Sequence, residues 1–285
     1  MRRRSSRSRA PGSVSSLDLL TVCELPGGAG LRGPTIADME EPASIDQLLE
    51  GVATVSLPPP RRITVLFDES MSPFLMVAAT VFESTYAHTE QRIEALYEDM
   101  VRAYYLDDLK SYERHKKKAF HASEDPVEVR AFFINLLAGL GPLRIFIQYT
   151  DHRRRPDLGP LESVAVLYRE LIKTVLQGVR SADEVTLIFE THQDLDSRFE
   201  AIVRSALRSV RVRSRISVSV GQKRRPYALA VSDYAMQIFS HWQQAGQPDD
   251  PKQYTYREWR AIRGSISMVR SLEEGTIVRR GLPLS

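Results

Sequence analysis

Residues 74–82 (FLMVAATVF) form a short run in which almost every side chain is apolar. A strand of this composition suits the centre of a sheet that is covered on both faces. The preceding run, residues 61–67 (RRITVLF), is also of strand length and ends at Asp68. Because only a short turn around Pro73 separates the two runs, we predict that they pair as a hairpin. The chain is therefore expected to build a sheet with helices packed on it.

Further strand and helix patterns alternate along the rest of the chain. The strand-like runs are residues 143–149, 185–189 and 215–220. The helical patterns are residues 88–118, 161–179, 197–210, 226–244 and 254–262. Asp125 followed by Pro126 predicts the N-cap and first position of one more helix. Two consecutive strands, followed by strands that alternate with helices, predict an α/β fold with a mixed five-stranded sheet flanked by helices.

The first 60 residues differ from the rest in composition. They contain many Gly, Pro, Ser and Arg residues without sustained periodicity, so we expect a disordered leader with a short helix over 45–52. Met39 is an alternative start, and an Arg-rich, Ser-rich segment is also typical of a transit peptide. Residues 61–285 are interpreted as one domain, with a core over 62–244 and a C-terminal extension over 245–285.

Cysteine content and hydropathy exclude several classes of protein. The single cysteine, Cys23, cannot form an intrachain disulfide or a cysteine-based zinc site, which favours a reducing, cytoplasmic location. No apolar run reaches the roughly 18 residues that span a bilayer, so no membrane partner is expected. The chain also has no phosphate-binding GxxxxGKS/T loop, no GxSxG motif and no dinucleotide-binding fingerprint after a strand.

Three acidic residues occupy comparable places in the predicted elements. Asp68 follows the first strand, Glu190 ends the fourth, and Asp233 lies early in the last long helix. If the first and fourth strands pair in parallel, Asp68 and Glu190 lie next to each other at the carboxyl ends of these strands. Ligands usually bind in the crevice outside that edge of a sheet. Clustered carboxylates repel each other unless a cation neutralises them, and hard oxygen ligands select Mg²⁺ or Mn²⁺. Taken singly, a strand-end acid is more often a turn residue or a helix cap.

His121 and a basic stretch are further candidates. His121 follows a lysine run in a loop, where it could orient water, bind phosphate or transfer a proton, or be an ordinary surface histidine. The other five histidines show no metal-ligand spacing and are interpreted as surface or packing residues. Residues 202–232 contain no Asp or Glu but eight Lys and Arg, a positive field that suits phosphate groups. The alternative is a solvated helix face and loop.

Together these residues resemble a known family. FDES at 67–70, FHA at 120–122, the strand-closing acid Glu190, and LAVSDY at 229–234 are similar to the pattern of the domain-of-unknown-function 3800 family. That family is placed in the ribonuclease-H-like superfamily, and the resemblance covers residues 62–244. It implies Asp68, Glu190 and Asp233 as metal-binding carboxylates, with His121 as an accessory catalytic residue. Glu69, the second acid of the opening motif, is implied as a further residue at the metal site.

The chain departs from the family pattern at three places. Met71 stands where glycine is usual, LAVSDY lacks the usual glutamine, and Glu190 stands where aspartate is commoner. The Glu190 side chain is longer than that of aspartate and can still reach a metal ion. The three departures bear on activity more than on fold. Some family members occur beside phage-defence and mobile-element genes, which implies nucleic acid as the substrate class.

Two functions follow from these expectations. The first is a Mg²⁺- or Mn²⁺-dependent nuclease that hydrolyses phosphodiester bonds in DNA or RNA. Its phosphate contacts are expected from Lys118, Arg215, Arg224 and Arg225. The alternative is a non-catalytic module on the same fold that binds nucleic acid or an acidic protein partner, with the acids as structural residues.

Overall fold

The computed structural model describes residues 59–283, apart from 107, 108, 110, 142, 152–157, 193 and 223. The strands are β1 (Arg62–Ser70), β2 (Leu75–Phe82), β3 (Arg144–Thr150), β4 (Glu184–Glu190), β5 (Arg215–Gly221), β6 (Ile266–Ser271), β7 (Gly275–Arg279) and β8 (Leu282–Pro283). The helices are α1 (Tyr86–Val101), α2 (Tyr112–Lys118), α3 (Val127–Gly139), α4 (Pro160–Gly178), α5 (Phe199–Leu207), α6 (Ala230–Gln244) and α7 (Tyr254–Ile262). The predicted leader, except for its last two prolines, lies outside the described residues.

The strands form one mixed sheet with the order β5-β4-β1-β2-β3-β6-β7-β8. The five predicted strands are present, but the prediction of a five-stranded sheet was wrong, because the sheet has eight. Beyond β3, the segment interpreted as a C-terminal extension adds β6 in parallel and then β7 and β8 in antiparallel orientation. These added strands are short and only partly buried, so their apolar pattern is too weak to identify them from sequence.

The pairing of β1 determines where the candidate residues meet. Every residue of β2 is buried, and β2 pairs antiparallel with β1, as the hairpin prediction required. On its other side β1 pairs in parallel with β4, with Phe67 opposite Phe189 as the last pair of the register. The carboxyl ends of β1 and β4 therefore lie at the same edge of the sheet.

Helices cover the sheet on both faces, and each face has its own apolar core. On one face, Phe67 and Phe189 stack with ring centroids 4.7 Å apart and pack near Tyr168 of α4. Leu66 belongs to the opposite core, which includes α6. Because side chains alternate along a strand, Asp68 points to the same face as Leu66, toward α6.

Two helix predictions need correction. The helical segment predicted over 88–118 is interrupted: α1 ends at Val101, a 3-10 turn occupies Tyr104–Leu106, and α2 begins only at Tyr112. Asp125 does not cap α3, because Pro126 is the N-cap residue and the Asp125 carboxylate binds tertiary partners instead. Among the helices in the described part of the chain, none is both long and apolar enough to cross a membrane.

Candidate active site

The candidate site begins where β1 and β4 end. Asp68 and Glu190 directly follow the paired residues Phe67 and Phe189. Adjacent strands lie about 4.8 Å apart, and alternation directs both acids to the α6 face. Asp68 is 1% exposed, and its Oδ1 accepts a hydrogen bond from the backbone N–H of Glu69 at 2.8 Å. The parallel pairing that the prediction required for Asp68 and Glu190 is therefore present.

The first turn of α6 brings a third carboxylate to this face. Ser232 fixes that turn to the sheet, since its Oγ lies 2.9 Å from Thr80 Oγ1 and donates to the Leu66 carbonyl at 3.3 Å. Asp233 follows directly and is 8% exposed. Its Oδ2 lies 3.4 Å from Nδ1 of His121. The first turn of α6 therefore contacts the sheet through Ser232 and the loop that carries His121 through Asp233.

One cavity unites the predicted residues. Asp68, Glu69, Glu190, Asp233 and His121 all line a cavity of about 590 Å³. None of the described residues that line it is a lysine or an arginine. Carboxylates that surround one space repel each other, and this repulsion disfavours their ionised form unless a positive charge is near. The charge of this cavity therefore suits a divalent cation.

The donor set fits a hard divalent cation in its chemistry but does not form a finished cage. Carboxylate oxygens are the preferred ligands of Mg²⁺ and Mn²⁺. Within the described ranges, no three His, Cys, Asp or Glu side chains are grouped to hold one ion. Mg²⁺ is commonly held by one or two carboxylates together with waters and substrate phosphates. Two carboxylates such as Asp68 and Glu190 would therefore be enough protein ligands for one such ion.

Glu69 connects the cavity to the opposite face of the sheet. Its carboxylate accepts a hydrogen bond from the Tyr168 hydroxyl of α4. The pKa of Tyr168 is raised well above its ordinary value of 10.0, first by burial, then by the charge and hydrogen bond of Glu69. The charges of Asp68 and Glu190 raise the pKa of Tyr168 further. Glu69 therefore lines the cavity and is also hydrogen-bonded to the helix on the opposite face.

Sequence reasoning missed three residues around the cavity. Asp125 accepts a hydrogen bond from the backbone N–H of His121 at 2.8 Å. His192 and His241, interpreted as surface or packing residues, line the cavity. A signal existed for both: His192 follows Glu190 by two residues, and His241 lies about two helical turns after Asp233.

The predicted phosphate-binding residues do not form one group. Lys118, which lies three residues before His121 in the sequence, forms an ion pair with Glu124 at 2.9 Å. Arg224 and Arg225 both lie in the turn that follows β5. Arg224 is exposed, and Arg225 forms an ion pair with Glu94 of α1 at 3.0 Å.

Arg215 lies apart from them. It begins β5 and lies 3.4 Å from Glu184, whereas Glu190 is paired with Gly221 at the other end of the same two strands. The structure therefore does not bring Arg215 to the carboxylates, which corrects the expectation that all four basic residues serve one site. Composition identifies the basic stretch but not which end of the strand each residue occupies.

Comparisons with known proteins give little further information. No protein-family model matches the chain, and no curated protein matches it. Among solved structures, a chain of the PCNA:RNase HII complex from Archaeoglobus fulgidus is similar, with 14% sequence identity and a TM-score of 0.37. The match covers 72% of this chain and 91% of that chain. Likeness at this level carries no information about activity, so function must be inferred from the residues of the site.

Proposed function

We propose that this chain is a nuclease that uses Mg²⁺ or Mn²⁺ to hydrolyse phosphodiester bonds in DNA or RNA. The observation that carries the proposal is the convergence of Asp68, Glu190 and Asp233 on one cavity whose described lining has no lysine or arginine. We also propose that the fold belongs to the ribonuclease-H-like superfamily. The mixed core β5-β4-β1-β2-β3, with acids at the ends of β1 and β4, supports that assignment.

In this proposal Asp68, Glu190 and Asp233 supply the negative charge that holds the cation, either directly or through water bound to the ion, with Glu69 as a neighbouring acid. Bound divalent cations activate a water molecule and stabilise the leaving oxygen of a phosphodiester. Asp68 and Asp233 are buried, so bulk water screens their charges less than it screens the charge of a surface acid. Burial therefore strengthens the attraction of these carboxylates for a cation.

His121 has the position of a proton donor. Its side chain is 30% exposed, so it has access to water while it lies beside Asp233. Its Nδ1 also lies 3.3 Å from Oγ of Ser123. A histidine at such a place suits general acid–base catalysis. In the proposed reaction it gives a proton to the leaving oxygen.

Positive groups near the site support nucleic acid as the partner. Lys118 precedes the His121 loop, and Arg224 and Arg225 follow β5 at the edge of the sheet that carries Glu190. Contacts from such residues to phosphates are mainly electrostatic and independent of base sequence. The proposal therefore includes both DNA and RNA.

A cleavage assay with a matched pair of variants tests the proposal. Plasmid DNA, single-stranded DNA and RNA are incubated with the protein in Mg²⁺, Mn²⁺ or a chelator. Glu190→Gln removes the charge at the end of β4, while Glu184→Gln removes a charge at the start of the same strand. We expect metal-dependent cleavage that Glu190→Gln abolishes and Glu184→Gln retains. Equal activity of the two variants, or cleavage that needs no metal, would contradict the proposal.

The second candidate is a non-catalytic nucleic-acid-binding or protein-interaction module on the same fold. It is favoured by one observation: the described residues contain no ready-made group of three metal ligands. In this case the acids stabilise the sheet edge and the loop of His121. Binding of nucleic acid without cleavage, across several divalent ions, would support this candidate.

A further inference from the structure

The Asp125 carboxylate lies beneath the His121 loop and is hydrogen-bonded to three segments of the chain. Its side chain is 1% exposed. Oδ2 accepts from the Tyr234 hydroxyl at 2.6 Å and from the backbone N–H of His121 at 2.8 Å. Oδ1 lies within hydrogen-bonding distance of His115, 2.8 Å from its Nδ1. Asp125 therefore joins α2, α6 and the His121 loop.

The side-chain partners of Asp125 are themselves fixed. The His115 side chain is 0% exposed. Its ring contacts three aromatic rings, those of Tyr97, Tyr112 and Phe120. The Tyr234 side chain on α6 is also buried, and its hydroxyl donates to Oδ2 of Asp125. A carboxylate held between two such buried side chains is a rigid support for the His121 N–H.

Two consecutive backbone N–H groups of the loop are bonded to carboxylates. The N–H of His121 donates to Asp125, and the N–H of Ala122 donates to Oδ2 of Asp233 at 2.8 Å. The loop begins at Ala119, whose φ of +62° and ψ of −156° are unusual for a residue with a side chain. Such a conformation persists only where the surrounding structure enforces it. These constraints together fix the His121 imidazole beside Asp233.

We infer that Asp125 is a positioning residue for His121, which fixes the backbone from which the imidazole reaches the cavity. Asp125 does not itself line the cavity, so it acts through His121 and not on the substrate. The inference rests on the proposed function, in which His121 moves a proton. Displacing a catalytic group by about 1 Å can cost on the order of 10²-fold in rate. The loss is therefore expected in kcat and not in KM.

A double-mutant cycle tests whether Asp125 acts through His121. We expect Asp125→Ala to lower kcat by on the order of 10²-fold at unchanged KM, and to have no further effect when His121→Ala is already present. Asp125→Asn should restore most of kcat, because its amide oxygen still accepts from the His121 N–H. Additive losses in the cycle would mean that Asp125 merely supports the fold, and would overturn the inference.

A second measurement separates this inference from the proposed function. Amide hydrogen exchange reports the His121 N–H directly and needs no substrate or activity. We expect Asp125→Ala to remove protection at His121 while the amides of β1 and β2 keep theirs. Unchanged protection at His121 would overturn the inference even in a chain that cleaves nucleic acid. If Asp125→Ala does not fold, Asp125→Leu takes its place, because it fills the space of the carboxylate but has no acceptor. Unchanged protection at His121 in a folded Asp125→Leu protein overturns the inference.

Discussion

The Asp233 carboxylate accepts a hydrogen bond from the backbone N–H of Ala122 at 2.8 Å, although 111 positions separate the two residues. The bond joins the first turn of α6 to the loop that carries His121. A candidate metal ligand and a candidate proton donor therefore depend on the same contact. Substitutions of Asp233 can separate its structural role from its chemical one.

We expect Asp233→Asn to keep the fold and lose the activity. Its amide oxygen can still accept from Ala122, so the free energy of unfolding should change by less than about 1 kcal/mol. Metal-dependent cleavage should fall by about 10²-fold or more, because the charge is lost. Asp233→Ala also leaves a buried N–H unpaired and should cost about 1–3 kcal/mol. Urea unfolding and a cleavage assay measure both effects, and wild-type activity in Asp233→Asn would contradict the assignment.

Glu90 on α1 supports the start of the segment that leads into α6. Its carboxylate accepts from the backbone N–H groups of Tyr227 and Ala228 at 2.7 and 2.8 Å. The first N–H groups of a helical turn have no partner within it, so we expect Glu90→Ala to lower the free energy of unfolding by about 1–3 kcal/mol. Glu94→Ala on the same helix removes only a surface ion pair and should change it by less than about 1 kcal/mol. Equal changes in the two variants would contradict this role.

Tyr168 and Tyr234 make stability depend on alkaline pH. Burial, and then Glu69 for Tyr168 and Asp125 for Tyr234, raise the pKa of each hydroxyl well above its ordinary value of 10.0. Above pH 10 the unfolded chain loses protons that the folded chain keeps, so the free energy of unfolding falls as pH rises. Each tyrosine contributes a slope of about −1.4 kcal/mol per pH unit.

Urea unfolding at several values between about pH 10 and pH 12 measures this slope, which approaches its full value about one pH unit above the ordinary pKa of 10.0. Tyr168→Phe should make it less steep by about 1.4 kcal/mol per pH unit. At neutral pH the same substitution should cost about 1.5–3 kcal/mol, because the Glu69 carboxylate loses a donor. An unchanged slope in the variant would show that Tyr168 ionises equally easily in both states.

Arg224 and Arg215 are a matched pair for locating the nucleic acid. Arg224 lies in the turn after β5, near the end of β4, while Arg215 begins β5 at the opposite end. We expect Arg224→Ala to weaken binding of a short duplex and to reduce the slope of log K against log salt by about 0.9. Arg215→Ala should leave both unchanged. Fluorescence anisotropy over a salt series measures the effect, and equal losses would contradict binding at the β1 and β4 edge.

Strand periodicity made the meeting of Asp68 and Glu190 predictable. Each acid follows an apolar run, and parallel strands bring their carboxyl ends to one edge, so sequence position was enough to anticipate that both acids lie there if β1 and β4 pair in parallel. Asp233 was singled out by its place early in the last long helix, but the bonds of Ser232 and Ala122 that bring it to the cavity are tertiary contacts.

The role of Asp125 could not be predicted in this way. Asp followed by Pro before an apolar helix is a strong capping signal, and that local signal predicted the wrong partner. The actual partners, His115 and Tyr234, come from separate helices and are recognised only after the chain has folded. Tertiary contacts of a buried polar group leave no periodic trace in the sequence.

Binding of Mn²⁺ tests most directly whether the gathered carboxylates hold a divalent cation. Isothermal titration calorimetry compares the wild-type chain with Asp68→Asn, and with Glu184→Gln as the control from the far end of β4. We expect saturable binding in the millimolar range or tighter for the wild type and for Glu184→Gln, weakened at least about tenfold in Asp68→Asn. Equal affinity in Asp68→Asn, or no saturable binding by the wild type, would contradict the metal site.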